Sequence, residues 1–291
     1  MTHKAGFVNI IGFPNVGKST LMNALVGEKL SIITNKVQTT RHRILGILSD
    51  TNYQIVFSDT PGILKPHYKL HQSMMKSVNE AMQDADIFLF ITTPADKNEL
   101  EGLPEKLRET KIPVIVVINK IDLSNQVVVE EEMQRWQALL PEAEVIPVSA
   151  LLKFNIEKVL QTLLDKLPES PAYYPKDTLT DKTMRFFVSE IIREKILLNY
   201  QKEIPYSTEV IIDEYKEDSD ILRISAWIYV ARESQKGIIL GRQGHAIKKT
   251  GTEARKDIED FTGKKVYLNL RVKVAKDWRD DERQLKWFGY D

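Results

Sequence analysis

Gly12-Phe13-Pro14-Asn15-Val16-Gly17-Lys18-Ser19-Thr20 follows the apolar run Phe7–Ile11 and opens a helical pattern, Lys18–Val26, that stops at Gly27. The stretch matches G-x-x-x-x-G-K-[ST] in the strand–loop–helix setting that this motif needs. Its glycines let the backbone wrap a phosphate, so that N–H groups along Gly12, Phe13, Asn15, Val16 and Gly17 face the anion, with Pro14 shaping the turn. The helix start, through Thr20, adds its positive dipole end. Lys18 is placed to neutralise the β- and γ-phosphates and is a catalytic candidate. Ser19 can set its hydroxyl on Mg²⁺.

Around this loop, short apolar runs alternate with helical patterns: Phe7–Ile11, Ile44–Leu48, Tyr53–Phe57, Ile87–Ile91, Val114–Ile118 and Val145–Val148. Runs of this kind are strands buried on both faces, and the helices between them predict an α/β doubly wound sheet over residues 1–167. Asn155–Leu167 is a further helix, with Ile156, Val159, Leu160, Leu163 and Leu164 on one face. Pro168, Pro171 and Pro175, with Tyr173 and Tyr174 among them, then stop the helix and predict a semi-rigid linker over 168–180. Residues 181–291 follow with an α-β-β-α-α-β order. A helix covers Asp181–Tyr200, and strands cover Thr208–Tyr215 and Ile221–Val230. A helical stretch from Gln235 to Thr262 is interrupted at Gly241 and Gly244. The last strand is Lys265–Val274, and Trp278–Tyr290 forms a C-terminal helical tail. Two domains agree with 291 residues at about 150 per domain.

Composition narrows the classes. Forty-one Lys and Arg balance 41 Asp and Glu, and hydrophobic residues make up 42%. This excludes a disordered tail protein and a uniformly basic coating protein. There is no Cys, which excludes disulfide scaffolds, thiolate metal sites and cysteine nucleophiles. No apolar run approaches the roughly 18–20 residues of a membrane span, and Met1–Gly6 leads into a strand rather than a signal core. A cytoplasmic chain is expected. The zero net charge hides an asymmetry: Arg232–Lys276 holds twelve Lys and Arg against five Asp and Glu. That basic patch points to nucleic acid.

Asp59-Thr60-Pro61-Gly62 ends the run that begins at Tyr53. Beside a phosphate loop, Asp59 can hold Mg²⁺ through water, and the Gly62 N–H can meet a γ-phosphate. Between the two motifs lies Gln38-Thr39-Thr40-Arg41-His42-Arg43. A threonine hydroxyl there can complete the metal shell only when the γ-phosphate is present, which makes the segment an order–disorder switch. Spacing leaves both Thr39 and Thr40 eligible; Thr40 is carried forward as metal ligand and catalytic candidate. Asn119-Lys120-Ile121-Asp122 ends the strand Val114–Ile118. The Asp122 carboxylate can accept from N1–H and the 2-amino group of guanine together, a pair that adenine lacks. The Lys120 stem can cover the base, and Asn119 can tie loops together. Ser149, Ala150 and Leu151 follow the strand Val145–Val148, where a backbone N–H can reach guanine O6. An ATPase of the same fold is the competing assignment, and ATP competition separates it.

Thr60, Pro61 and Ile63 complete the expected nucleotide contacts. Ras-like enzymes carry a Gln at the position of Ile63 to orient the attacking water. An Ile cannot hydrogen-bond water, so slow intrinsic hydrolysis is expected. Asn15 has two readings: a ligand that helps hold K⁺ near the phosphates, or a turn-former after Pro14.

Gly241-Arg242-Gln243-Gly244 lies between two helices. A bare G-x-x-G is an ordinary turn. In this element order and inside the basic patch it reads as the loop of a type II KH fold, where glycines let a sugar–phosphate backbone pass close. Arg242, Lys248 and Lys249 supply charge for single-stranded RNA. The competing use of this surface is docking of a protein or a membrane surface, which would make the chain a nucleotide-gated scaffold.

Taken together, residues 12–20, 38–43, 59–62, 119–122 and 148–150 resemble the GTPase half of the bacterial Era family. Ser189–Lys195, Glu253–Asp257, Asp280–Arg283 and the final Phe288-Gly289-Tyr290 resemble its KH half. The resemblance spans nearly the whole chain, and Ile63 is itself similar to the family pattern. It implies a GTP-hydrolysing factor that binds the single-stranded 3′ end of 16S rRNA in maturation of the 30S subunit; a monomer is expected. It also implies peripheral contact with the inner membrane. The expected mechanism is a switch in which GTP and Mg²⁺ order residues 39–40 and 59–62, reposition the KH domain across the linker and favour RNA capture.

Overall fold

The computed structural model describes residues 2–94 and 103–290. The chain divides into two compact units. The first gathers Met1–Ser31, Thr40–Lys65 and Met74–Asp181; the second gathers Ile32–Thr39, Pro66–Ser73 and Lys182–Asp291. The short segments 32–39 and 66–73, which sequence order places in the N-terminal domain, thus cluster with the C-terminal residues.

In the first unit, strands β1 (Lys4–Gly12), β2 (Ile44–Ser49), β3 (Tyr53–Asp59), β4 (Ile87–Thr92), β5 (Val114–Ile118) and β6 (Glu144–Pro147) form one sheet in the order β2-β3-β1-β4-β5-β6. All neighbouring pairs are parallel except β2 with β3. The exception is the difference from an all-parallel doubly wound sheet. Only Asp50–Asn52 separate the two strands, a connection too short for the crossover that parallel pairing needs. Helices α1 (Lys18–Val26), α2 (Lys69–Gln83), α3 (Leu103–Glu109), α4 (Gln126–Leu139) and α5 (Ile156–Lys166) complete the α/β pattern, with the start of α2 falling in the second unit. Every residue of β4 and β5 is buried, as strands covered on both faces must be. Phe90 packs its ring 4.8 Å from that of Trp136 on α4, and Trp136 is 1% exposed. Burying side chains of this size contributes about 1.5–3 kcal/mol each. The sheet order places β1 between β3 and β4, the topological switch point at which α/β sheets open a crevice outside the strands' carboxyl ends.

The proline-rich segment runs against this sheet. The buried Gln54 side chain on β3 accepts from the N–H groups of Tyr173 and Tyr174 at 2.7 and 2.9 Å and donates to the Tyr174 carbonyl. The Ile47 N–H donates to the Leu179 carbonyl at 2.8 Å. Prolines keep the segment extended, and the buried Gln54 amide, which also donates to the Ser49 hydroxyl at 3.0 Å, satisfies its carbonyl oxygen by drawing that backbone in.

The second unit contains α6 (Met184–Asn199), β7 (Thr208–Glu217), β8 (Ile221–Val230), α7 (Glu233–Leu240), α8 (His245–Thr262), β9 (Lys265–Val274) and α9 (Glu282–Trp287). Its sheet runs β7-β8-β9, antiparallel then parallel. Leu222, Ile224, Ala226 and Ile228 of β8 share a core with Val188, Ile192 and Ile196 of α6 and Ala254 and Ile258 of α8. Helix α6 starts later than its amphipathic pattern, because the Thr183 hydroxyl caps the Phe186 N–H. The C-terminal tail is not one helix. Trp278–Asp280 form a single 3₁₀ turn, and Asp281 caps α9 by accepting from the N–H groups of Arg283 and Gln284. Trp278 is fully buried and donates to the Ser207 carbonyl at 3.0 Å, so the tail packs within this unit. Among the described residues, no helix is long and apolar enough to cross a membrane.

Candidate functional site

The site residues of the first unit sit at the carboxyl ends of β1, β3 and β5 and just beyond β6. The phosphate loop leaves β1 at Gly12 and enters α1 through Gly17, whose φ of 97° lies in the left-handed region. A Cβ at Gly17 would also lie 2.2 Å from the Asn119 Nδ2, so glycine is required on both counts. Lys18 is buried, and its ammonium donates to the carbonyls of Gly12 and Phe13 at 3.0 and 2.9 Å. Burial lowers its pKa to about 8, against the opposing pull of the Asp59 carboxylate. A polyphosphate in the loop would restore the ammonium's preference for charge.

Three oxygens converge beside Lys18. The Ser19 hydroxyl donates to Asp59 Oδ2 at 2.6 Å and stands 2.9 Å from the Thr40 hydroxyl. Asp59 Oδ1 is buried with no hydrogen-bond partner. Burial pushes the Asp59 carboxyl up, opposed by the Ser19 hydroxyl and Lys18. Two hydroxyls and a carboxylate with an orphaned oxygen fit a hard, oxygen-seeking cation such as Mg²⁺. Among the described residues no cluster of three His, Cys, Asp or Glu suits a metal. The Thr39 hydroxyl is engaged elsewhere, donating to the Lys36 carbonyl at 2.7 Å and paired with Thr34 at 2.7 Å. Geometry therefore favours Thr40 of the two threonines.

Gly62 packs against the phosphate loop so closely that a Cβ would sit 2.7 Å from the Pro14 nitrogen. The Thr60 hydroxyl donates to the Ile10 carbonyl at 2.8 Å, and the Ile63 N–H to that of Gly12 at 3.1 Å. The Ile63 side chain packs against the core that holds Ile11, Phe88 and Phe90. Asn15 has a left-handed φ of 65°, as a turn-former does.

The base-reading loops are tied to the phosphate loop through the buried Asn119 side chain and through Lys120. Asn119 donates to the Val16 carbonyl at 2.9 Å and accepts from the Ala150 N–H at 3.0 Å. Lys120 donates to the Asn15 carbonyl at 2.5 Å. The Ser149 hydroxyl donates to Asp122 Oδ1 at 2.5 Å, and the Leu152 N–H donates to the same hydroxyl at 3.2 Å. The Asp122 carboxylate is exposed and held in place, ready to accept from a base edge, and Leu151 is exposed as well.

In the second unit, Gly241, Arg242, Gln243 and Gly244 join α7 to α8, with positive φ at Gly241, Gln243 and Gly244. Arg242, Lys248 and Lys249 are exposed, and Lys249 lies 3.8 Å from Glu253. Beside the loop, Ile247, Gly251 and Arg255 of α8 and Leu268 and Leu270 of β9 line a groove of about 260 Å³ that also includes Lys248 and Thr252. Of these groove residues the sequence reading named Lys248 and missed the other six. The signal was the i, i+4, i+8 spacing of 247, 251 and 255, opposite alternate positions of β9.

The profile of the 50S ribosome-binding GTPase family matches residues 7–120, and that of the KH domain matches residues 203–279. The chain is 47% identical to GTPase Era of Syntrophus aciditrophicus over 292 residues, covering 99% of this chain and 95% of that protein. It is 46% identical to GTPase Era of Clostridium kluyveri, covering 99% of both. Among solved structures, a crystal structure of Era in complex with MgGDPNP and nucleotides 1506–1542 of 16S ribosomal RNA superposes with a TM-score of 0.94 at 39% identity, over 99% of each chain. The phosphate loop, the Ser19–Thr40–Asp59 cluster and the Asp122 base reader thus sit in a chain related end to end to GTPases: it belongs to the Era family.

Proposed function

We propose that this GTPase couples its nucleotide state to binding of the single-stranded 3′ end of 16S rRNA during assembly of the 30S subunit, acting as a monomer in the cytoplasm. The observation that carries this reading is the G-x-x-G loop and its groove, flanked by exposed Arg242 and Lys248, in the same chain as a guanine site. The related Era structure that holds a 16S rRNA fragment supports it.

In the proposed cycle, Lys18 and the phosphate-loop N–H groups hold the β- and γ-phosphates, and Asp122 selects guanine. Ser19, Thr40 and Asp59 would hold Mg²⁺, which supplies charge neutralisation on the transferring phosphoryl group. With Ile63 turned into the core, no side chain at that position orients water, and intrinsic turnover is slow. Rapid turnover is then conferred by a partner or by a monovalent cation at Asn15; replacing K⁺ with Na⁺ tests the latter. Peripheral membrane contact enters through the family resemblance, and co-sedimentation with anionic vesicles tests it. Crosslinking the purified chain to total RNA with a GTP analogue present, then sequencing the fragments, tests the main reading. Enrichment of the 16S 3′ end supports it, and capture without sequence preference contradicts it.

A further inference from the structure

Arg193 has no part in the cycle described above, yet it is 1% exposed on α6, inside the stretch Ser189–Lys195. Its Nε donates to Glu190 Oε1 at 2.7 Å and its Nη2 to Glu190 Oε2 at 2.5 Å. The remaining donors go to backbone: Nη1 to the Gln38 carbonyl at 3.4 Å, and Nη2 also to the Thr39 carbonyl. Burial works against the charge, but the Glu190 carboxylate outweighs it, and Arg193 stays protonated. Nearby, Tyr290 donates to Glu209 Oε2 at 2.6 Å, and both residues are buried. The segment that Arg193 grips is fastened at other points of the same unit. Lys36 donates to the Tyr200 carbonyl, and the Tyr68 hydroxyl donates to Gln38 Oε1 at 3.2 Å.

A buried ion pair adds little net stability, because its desolvation cost offsets its attraction, and an apolar pair of similar volume often serves the fold as well or better. A guanidinium fork does something that an apolar pair cannot: it fixes two successive carbonyls at once. The residue that follows them in the chain is Thr40, whose hydroxyl stands beside Ser19. We propose that Arg193 is a positioning residue for GTP hydrolysis, holding the carbonyls of Gln38 and Thr39 so that Thr40 is delivered to the metal site when a γ-phosphate is present. The proposal rests on Thr40 being the metal ligand. It gives the Ser189–Lys195 stretch a role in the nucleotide cycle.

The test measures affinity for GDPNP and for GDP, the Mg²⁺ midpoint of turnover, and kcat, on the full chain. Arg193→Lys keeps the charge beside Glu190 and loses the fork. The double variant Arg193→Met with Glu190→Leu removes both charges of the pair, and the nearby Glu209 keeps the Tyr290 hydroxyl. In both, GDP affinity is expected within twofold of wild type. GDPNP affinity should fall about tenfold, the Mg²⁺ midpoint should rise, and kcat should fall at least tenfold. Equal losses for both nucleotides, or unchanged GDPNP affinity and kcat, overturn the proposal. Thr40→Ala separates it from its premise. If Thr40→Ala leaves the GDPNP-to-GDP ratio unchanged, the metal reading of Thr40 fails. If Thr40→Ala lowers the ratio and the Arg193 variants do not, the positioning role alone fails. Under the proposal, Arg193→Lys adds less than twofold in the Thr40→Ala background.

Discussion

Replacing Asn119 by Ala cuts a buried side chain that spans the phosphate loop and the base-reading loops. Its amide donates to the Val16 carbonyl and accepts from the Ala150 N–H, at 2.9 and 3.0 Å, and it is 2% exposed. Each polar group stranded in such a place costs about 1–3 kcal/mol. Two of them cost about 3 kcal/mol of stability, and the share of that cost felt only when nucleotide clamps both loops is read as lost GDP affinity, at most roughly 100-fold. Isothermal titration with Mg·GDP reads the affinity, and urea unfolding with saturating GDP reads the stability. Asn119→Asp sharpens the test: a carboxylate still accepts from Ala150 but sets a buried anionic oxygen against the Val16 carbonyl, a repulsion that outweighs the bond kept, so its loss should be no smaller than that of Ala. Gly17→Ala provides a second check, because part of its cost is the collision with Asn119 Nδ2. That part should vanish in the Asn119→Ala background, making the two changes less than additive. A GDP affinity within threefold of wild type and an unchanged unfolding midpoint for Asn119→Ala would refute this account of the tie.

Further outcomes follow from the same geometry. Lys18 titrates near pH 8 rather than 10.5, so between those values the unfolded chain holds a proton that the folded, nucleotide-free chain lacks. Stability from this group therefore rises as pH increases through that window. Urea unfolding at pH 7.5 and 9.5 should show a rise in wild type that Lys18→Met lacks, and Lys18→Met should hydrolyse no GTP. Asp122→Asn exchanges a charged acceptor for an amide and should weaken GTP at least 100-fold while leaving ATP no tighter, as read by competition binding. Neutralising Arg242 or Lys248 should lower the log–log salt slope for single-stranded RNA by about 0.7 for each phosphate left without its cation. An unchanged slope would remove these side chains from the RNA interface.

The parts of this fold that were legible in sequence are those written in local chemistry. β5 is a run of β-branched residues with turns at both ends, and the phosphate loop carries its glycines at fixed offsets. The parts that were not legible depend on long-range partners. Pro168–Pro175 shows that helix ends there, but it takes the buried Gln54 and the Ile47–Leu179 bond to show that residues 173–179 are drawn onto the sheet. Thr39 and Thr40 are chemically equivalent in a one-dimensional reading; the Lys36 carbonyl and the Ser19 hydroxyl separate them. The antiparallel β2 is set by the length of the Asp50–Asn52 turn, which apolar periodicity does not register. Arg193 stands in an amphipathic helix as one more basic residue, and its role depends on carbonyls more than 150 positions away.

The central claim is that nucleotide state governs RNA capture. The direct measurement is the affinity of the purified chain for a single-stranded RNA of the 16S 3′-end sequence, by fluorescence anisotropy, with Mg·GDPNP and with Mg·GDP at fixed salt. The account predicts binding at least tenfold tighter with GDPNP, and by linkage the RNA raises the preference for GDPNP over GDP by the same factor. Equal RNA affinity in the two nucleotide states would contradict it.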